Sequence, residues 1–281
     1  MERLKFLTAG VPISSMDNTT EGGLRRLVEL GLDGMELEFV RNVFLKEGTA
    51  EPVRESAAGK GLALTVHGSY FINLNAVEKD KALASEERIL KAARIGALAG
   101  AGSMTFHAAF YMKKDPGKVH ARVRDALKRI TRTLRDEGHT ISVRPETTGK
   151  PSSYGSLTEL LLLSQEVEGV GPCIDWAHMH ARTGGTSMNS LSEFSSALDG
   201  VEKAIGKEGL HDMHMHIAGI EYTPKGERRH LDLRDKGSDL RYEDVLQALR
   251  DHDVRGRLVC ESPSIEKDAR LLKDTFEKLR G

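Results

Sequence analysis

Short apolar runs alternate with longer segments of helical periodicity along the whole chain. Eight runs of apolar and β-branched residues predict strands. These strands are Lys5–Ala9, Gly34–Val40, Leu62–His67, Ser103–His107, Ile141–Glu146, Gly171–Asp175, His211–Ile217 and Arg257–Glu261. The clearest helix follows the fourth run, where apolar residues keep the 3.6-residue period from Val119 to Leu134 and Gly138 ends the pattern.

Helical patterns also follow the other runs. They cover Glu21–Leu30, Glu51–Gly59, the segment around Leu90–Leu98, Leu157–Glu166, Leu191–Gly206, Tyr242–Leu249 and Ile265–Leu279. A polar excursion, Glu221–Asp239, separates the seventh strand from its helix. Eight strand–helix units without a linker predict an α/β fold, one (β/α)8 (TIM) barrel domain over residues 1–281. In that fold, active sites lie at the C-terminal ends of the strands.

Composition narrows the function classes. The 281 residues are 39% hydrophobic and 30% charged, and no apolar run approaches the roughly 18 residues that span a bilayer. The net charge of -1 gives no overall basic surface for nucleic acid, so any contact with DNA must be local. The start of the chain is too short and too charged for a signal peptide. Cys173 and Cys260 lie in apolar runs, which indicates buried thiols and a cytoplasmic protein.

Imidazoles and carboxylates recur where the predicted strands end. The residues are His67, His107, Glu146, Asp175, His178, His214, His216 and Glu261. A single histidine in such a position is more often a structural residue than a ligand. So many acids and imidazoles at one end of a barrel would repel one another or stay costly to bury unless cations compensated them. Imidazole with carboxylate suits Zn²⁺, Mn²⁺ or Fe²⁺, and the number of ligands predicts more than one ion.

For two pairs of these residues, the spacing bears on which residue binds a metal and on whether both bind the same one. Asp175 and His178 are three residues apart at a strand-to-loop turn, so strand alternation predicts that they bind different metals. His214 and His216 share one strand face. We favour His216 as the ligand because it is nearer the strand end, and keep His214 as a second candidate.

Taken together, these residues resemble the endonuclease IV family, metal-dependent apurinic/apyrimidinic endonucleases with a xylose-isomerase-like barrel. The resemblance covers nearly the whole chain in order. It rests on His67-Gly-Ser-Tyr-Phe-Ile-Asn-Leu74, His107, Glu146-Thr-Thr-Gly149, Cys173-Ile-Asp-Trp-Ala-His178, His216 and Glu261. Any one of these motifs alone is unspecific, whereas the set in this order is specific.

The resemblance implies a zinc centre of up to three ions. His67 and His107 would hold the first ion, and Glu146 would bridge the first and second. Asp175, His216 and Glu261 would complete the second ion, and His178 with His230 would hold the third.

The chain departs from the family at the third ion. The family has an Asp-x-His pair, where this sequence reads Glu227-Arg228-Arg229-His230. Glu227 replaces the aspartate if the chain shifts by one residue; otherwise the third site is weakened or empty. Two-metal and three-metal enzymes are therefore both open, with zinc, manganese or another divalent metal.

The implied activity is hydrolysis of the DNA phosphodiester on the 5′ side of an abasic site during base excision repair, with Glu146 and Glu261 as the catalytic carboxylates. The partner would be double-stranded DNA with an abasic site, and no obligate protein partner is implied. By position, Arg41, Tyr70 and Phe71 would enter the duplex. For Tyr70 and Phe71, an alternative interpretation of equal weight is that their loop only packs on the rim of the barrel.

Two other functions remain open. A metal-dependent sugar isomerase or epimerase can use the same barrel and the same strand ends for proton or hydride transfer. The departure at Arg228 also leaves room for a metal-containing protein that binds DNA damage without cutting it.

Overall fold

A computed structural model describes residues 3–280. Residues 1, 2 and 281, which the single-domain prediction includes, lie outside the described residues. The elements in chain order are β1 (Leu4–Ala9), α1 (Thr20–Leu30), β2 (Gly34–Glu38), α2 (Glu47–Gly59), β3 (Ala63–His67), α3 (Lys79–Leu98), β4 (Ser103–Phe106), β5 (Ala109–Phe110), α4 (Pro116–Asp136), β6 (Ser142–Pro145), β7 (Ser153–Tyr154), α5 (Leu157–Glu166), β8 (Cys173–Asp175), α6 (Trp176–Arg182), α7 (Leu191–His211), β9 (Met213–Ile217), β10 (Gly219–Thr223), β11 (Gly226–Leu231), α8 (Tyr242–Asp251), β12 (Gly256–Cys260) and α9 (Glu266–Arg280).

Contacts between residues divide the chain into two compact units. Unit 1 contains the residues up to Met35, the segment Thr148–Pro151 and the residues from Cys173 onward. Unit 2 contains Glu36–Thr147 and Ser152–Pro172. That the chain forms one domain stays a prediction.

Unit 1 contains parallel strands in the order β1, β12, β9, β8. Leu7 is in register with Val259, and Val259 is in register with His216. Unit 1 also has an antiparallel hairpin, β10 with β11. Because paired parallel strands present equivalent positions to the same face, Leu7, Val259 and His216 face the same side of this sheet.

Unit 2 contains parallel strands in the order β3, β4, β6 and a two-stranded ribbon of β5 with β7. Its longest helix, α4, begins as a sequence pattern predicts: Asp115 accepts a hydrogen bond from the Lys118 backbone nitrogen (3.0 Å), and Pro116 is the first helical residue. The periodic face of α4, from Val119 to Leu134, is buried. The helix predicted here is confirmed.

The structure corrects one boundary in unit 1, since His211, predicted to begin the seventh strand, ends α7 instead. It also contains two features that the sequence did not predict. The expected loop after β8 is the short helix α6, because the Asp175 carboxylate accepts a hydrogen bond from the His178 backbone nitrogen (2.6 Å) and caps the first turn. No strand was predicted within the polar excursion Glu221–Asp239, whereas its first part belongs to the hairpin of β10 and β11. The hairpin was missed because its exposed strands are too polar to give an apolar run.

No helix within residues 3–280 is long and apolar enough to cross a membrane.

Gly256 begins β12 with a φ of 118°, and a Cβ atom there would overlap the Met213 carbonyl oxygen and lie 2.5 Å from its nitrogen. We expect Gly256→Ala to lower the free energy of unfolding by about 3 kcal/mol or more, because the clash is with backbone that cannot move aside. Chemical denaturation followed by circular dichroism measures the difference.

Gly138→Ala is the matched control. Its φ is 80°, and nothing lies within 4 Å of the added Cβ. Gly138→Ala should therefore lower the free energy of unfolding by only about 1 kcal/mol, because alanine is less stable than glycine in the left-handed backbone conformation. Equal losses in the two variants would contradict a steric role for Gly256.

Candidate functional site

Three adjacent parallel strands of unit 1 end in potential metal ligands. Asp175 on β8 is in register with His216 on β9, and Glu261 follows β12, where its backbone nitrogen donates to the Ile217 carbonyl (3.0 Å). Asp175 and His216 are fully buried, and Glu261 is 12% exposed. His216 Nδ1 lies 3.2 Å from Glu261 Oε1. Strand pairing therefore brings Asp175, His216 and Glu261 together.

His178 reaches the same region from α6. Because Asp175 caps this helix, the His178 ring turns back toward its own strand end, with Nδ1 3.5 Å from Asp175 Oδ2. Its other nitrogen, Nε2, lies 3.2 Å from Nε2 of His230. One potential ligand atom from each of Asp175, His178 and His230 lies within 4.8 Å of the others. These three residues form a group that is suited to hold a cation.

A β-bulge in the hairpin decides which residue accompanies His230. His230 pairs with Ile220, and Arg229 pairs with Glu221, but the next pair joins Glu227 to Tyr222. Arg228 is thus one extra residue on β11. A bulge shifts the alternation of side chains by one position, so Glu227 and His230, which are three residues apart, project to the same side.

The arginines between them project to the other side of the hairpin. Arg228 and Arg229 both form ion pairs with Glu221, at 2.5 and 2.7 Å, and both are largely exposed. Glu227 instead places Oε2 3.5 Å from Nε2 of His178. The structure therefore places Glu227, and not Arg228, beside His178.

Gly149 makes room for this approach. A Cβ atom at Gly149 would lie 2.6 Å from the Glu227 Cβ, 2.7 Å from Glu227 Oε2 and 3.1 Å from a ring carbon of His178. The Glu227 backbone nitrogen also donates to the Gly149 carbonyl (2.9 Å). The glycine in Glu146-Thr-Thr-Gly149 thus has a local steric reason, which the sequence alone did not reveal.

His214 lies on the same face of β9 as His216 but further from the strand end. It is fully buried, and its ring centre is 5.1 Å from that of His216. Cys173 is its neighbour in register on β8, and one ligand atom from each of Cys173, His214 and His216 lies within 4.8 Å of the others. His214 does not join the group of Asp175, His178 and His230.

Unit 2 carries a second group of potential metal ligands. His67 ends β3, His107 follows β4 and Glu146 follows β6, and both histidines place Nε2 3.3 Å from the same oxygen, Oε2 of Glu146. Two ligand atoms bonded to one tetrahedral zinc ion at about 2.0 Å lie roughly 3.3 Å apart. His67 Nδ1 lies 2.8 Å from the Gly68 carbonyl, which can only accept, so Nδ1 carries a hydrogen, and Nε2, on the side of Glu146, is the nitrogen that would bind a metal.

The charge around His67 favours a cation. Burial lowers the pKa of His67, but the hydrogen bond and charge of Glu146, with the charges of Glu38 and Glu36, raise it to about 10. Glu36 is fully buried and accepts a hydrogen bond from the Thr65 hydroxyl (2.7 Å). Sequence reasoning missed both acids of β2, although they alternate within an apolar run and so share one face.

The residues expected to contact DNA belong to unit 2. Tyr70 and Phe71, in the loop after β3, are 63% and 66% exposed. The Tyr70 ring centre lies 5.8 Å from that of His67, and its backbone nitrogen donates to the Val40 carbonyl (2.9 Å). Arg41 follows Val40 and is exposed. Both aromatic side chains are therefore exposed, and the Tyr70 ring lies beside a potential metal ligand.

Comparison with known proteins gives one family. The model of the xylose isomerase-like TIM barrel family matches residues 24–280. An uncharacterized protein of Methanocaldococcus jannaschii is 40% identical over 276 residues, which cover 98% of each chain.

Solved structures with two different activities share the fold. Endonuclease IV from Thermus thermophilus has a TM-score of 0.70 at 19% identity, covering 98% of this chain and 99% of its own. The 3-keto-D-glucoside 4-epimerase of E. coli has a TM-score of 0.69 at 18% identity, with the same coverage. The family match and these likenesses confirm the (β/α)8 barrel predicted from the sequence.

The raised pKa of His67 predicts proton release on metal binding. In the metal-free protein at pH 7, an imidazole with a pKa of about 10 is protonated, whereas a metal ligand must be neutral. Zinc should therefore displace this proton, and its affinity should fall as the pH falls. Titration with zinc in weakly buffered solution with an indicator dye measures the release.

His67→Asn should reduce the release by about one proton per chain. His139→Asn, at a histidine after α4, is the control and should leave it unchanged. The same release from all three proteins would contradict the assignment of His67.

The bulge predicts a role for Glu227 in metal binding. Glu227→Gln should reduce the metal retained after dialysis by about one ion per chain, because the amide is a weaker ligand than the carboxylate beside His178. Mass spectrometry of the metals measures the content. Glu221→Gln, on the opposite side of the hairpin, should retain the wild-type content. Equal content in both variants would show that Glu227 is not a ligand.

Proposed function

Because the chain belongs to the xylose isomerase-like TIM barrel family, we propose that it is a metal-dependent endonuclease that hydrolyses DNA on the 5′ side of an abasic site. Its family includes enzymes, and both ligand groups follow the order of the endonuclease IV motifs. The likeness to the Thermus thermophilus endonuclease IV over 98% of the chain is consistent with this activity.

The placement of Glu227 carries the proposal. The one departure from the endonuclease motifs was the missing acid two residues before His230. The bulge at Arg228 supplies an acid to the same side of β11 as His230, 3.5 Å from His178. Glu227 would then add a carboxylate beside His178 to the third ligand set that the resemblance implies. A sugar isomerase, with one or two metals, would not need this third set.

Both ligand groups fit divalent cations. His67, His107 and Glu146 would hold one ion, Asp175, His216 and Glu261 would contribute to a second, and His178 and His230 with Glu227 would contribute to a third. Imidazole with carboxylate fits zinc, the cofactor that we propose, and manganese is the next candidate. When bound, such cations supply Lewis acidity, which offsets the negative charge of a phosphodiester.

The side chains of the protein would orient these ligands and move protons. The carbonyl of Gly68 fixes the tautomer of His67, and the helix cap fixes Asp175. The two oxygens of Glu261 face different histidines, His216 at 3.2 Å and His230 at 3.7 Å. We assign Glu146 and Glu261 as the carboxylates that position the attacking water and accept its proton.

We further propose that Tyr70, Phe71 and Arg41 contact the damaged duplex. An enzyme that acts on a nucleotide inside a duplex must take it out of the stack, and exposed aromatic rings can occupy the space that is left. Tyr70 and Phe71 are exposed in a loop that is anchored to Val40 by a backbone hydrogen bond. Double-stranded DNA with an abasic site is thus the proposed partner, and the two buried thiols agree with the cytoplasm as the proposed location.

The second candidate is a metal-dependent sugar epimerase or isomerase. One observation favours it: the likeness to the E. coli 3-keto-D-glucoside 4-epimerase is as close as that to the endonuclease. Buried carboxylates at strand ends can also transfer protons on a sugar.

One experiment separates these functions. The protein, loaded with zinc or with manganese, is incubated with a duplex that contains one abasic site, with the intact duplex and with a set of ketoses. Incision of the abasic duplex alone supports the proposal. Conversion of a ketose without incision supports the epimerase, and binding of the abasic duplex without either reaction supports a damage-binding protein.

Glu261→Gln tests the proposed chemistry directly. We expect incision to fall by at least about a hundredfold, the upper end of what is lost when even an outer partner of a metal ligand is removed. Melting followed by circular dichroism should show that the fold remains. Glu277→Gln, an exposed residue of α9, should cut like the wild type. A wild-type rate for Glu261→Gln would reject its place in the active site.

A further inference from the structure

A small cavity in unit 2 is lined by three cationic side chains. It lies between the loop after β2 and helix α3 and has a volume of about 190 Å³. The residues that line it are Phe39, Arg41, Asn42, Val43, Ser69, Arg88, Lys91 and Ala92. No carboxylate belongs to this lining, as far as residues 3–280 are concerned. The cavity is therefore an electropositive pocket, which we call the cationic pocket.

The cations are not used elsewhere in the fold. Within the described part of the chain, Arg41, Arg88 and Lys91 form no ion pair; Arg88 only donates a long hydrogen bond (3.5 Å) to the Phe71 carbonyl. Arg88 and Lys91 are three residues apart on α3, so their side chains lie on one face of the helix. Three like charges gathered without a counter-charge indicate a site for an anion.

The walls of the pocket are held in place. The Phe44 ring packs edge-on against the buried Phe39 ring at 5.0 Å, which fixes the loop after β2. The Tyr70 nitrogen donates to the Val40 carbonyl (2.9 Å), and the Phe71 nitrogen donates to the Ser69 hydroxyl oxygen (3.2 Å). The pocket thus exists before a ligand binds, which reduces the entropy lost on binding.

The volume limits the ligand. Pockets that enclose a drug-sized molecule measure roughly 300 to 1,000 Å³. A cavity of about 190 Å³ admits a single small group rather than a nucleoside or a whole sugar nucleotide. Two guanidinium groups, an ammonium group, the Asn42 amide and the Ser69 hydroxyl match the oxygen-rich surface of a phosphate group.

We propose that the cationic pocket binds the phosphate group of a phosphate ester. If the proposed function holds, the ester is a backbone phosphate of DNA beside the exposed rings of Tyr70 and Phe71. If the protein acts on sugars, it is the phosphate of a small phosphorylated sugar. The pocket would then anchor the substrate through a contact that carries no sequence information.

The test is a double charge reversal, Arg88→Glu with Lys91→Glu, in the metal-loaded protein. One arm measures binding of an intact, uncut duplex by fluorescence anisotropy across a range of salt concentrations. We expect about tenfold weaker binding and a slope of log affinity against log salt that is smaller by about one, as for the loss of one phosphate contact. The other arm measures binding of ribose 5-phosphate and of ribose by calorimetry.

Lys128→Glu with Arg132→Glu, on exposed positions of α4, makes the same change in net charge and is the control. Weaker duplex binding in the pocket variant alone assigns the phosphate to DNA. Loss of ribose 5-phosphate binding with unchanged duplex binding assigns it to a small ester. Wild-type binding of both ligands by the pocket variant would contradict the proposed phosphate site. An equal loss of binding in the control variant would contradict it as well.

The proposed function can fail separately from the pocket. Neither arm depends on incision, which is measured on the wild type with the abasic duplex. If the protein binds phosphate through Arg88 and Lys91 but does not cut DNA, the phosphate site stands and the proposed endonuclease function is rejected.

Discussion

The pairing of β8, β9 and β12 is the constraint on which the unit 1 site depends. Parallel register sets Asp175 beside His216, and the backbone hydrogen bond from the Glu261 nitrogen to the Ile217 carbonyl sets Glu261 beside His216. Moving any one of these strands by a single residue would turn its ligand to the opposite face. The absence of a Cβ atom at Gly256 allows the backbones of β12 and β9 to lie close together at Met213. The geometry of the ligands is therefore a property of the sheet rather than of flexible loops.

The two ligand groups are built by different means. In unit 2, His67, His107 and Glu146 all follow directly from strand ends, and the acids of β2 add negative charge behind them. In unit 1, a helix cap turns His178 back toward Asp175, and a hairpin brings His230 and Glu227. The side chains from the helix and the hairpin therefore reach the unit 1 site from a direction that side chains at the strand ends do not cover.

The sequence was sufficient for the parts of the fold that rest on apolar periodicity. The α4 helix carries a buried stripe from Val119 to Leu134, and the parallel strands are short and mostly buried segments with apolar residues, so both were predicted. The closeness of His67, His107 and Glu146 could be predicted for the same reason, because each follows or ends a strand that the sequence identifies.

Features without such a pattern were not predictable. The β10–β11 hairpin is polar on exposed positions, and its bulge depends on which residues pair. The α6 helix depends on one hydrogen bond, from the His178 nitrogen to Asp175. Glu36 and Glu38 lie within a predicted strand. An apolar run predicts the strand but does not show which other residue an acid within it faces, so their effect on His67 was not predicted.

The bulge at Arg228 shows that chain spacing and spatial placement can change independently. An Asp-x-His pair on a regular strand and Glu-x-x-His on a bulged one present the same two groups to the same side. A one-residue insertion can therefore leave a side chain in the same place in space. A sequence motif with a fixed spacing between the acid and the histidine would nevertheless fail to find it. Relatives of this protein are better recognised by a pattern that accepts either interval, together with the glycine opposite the acid.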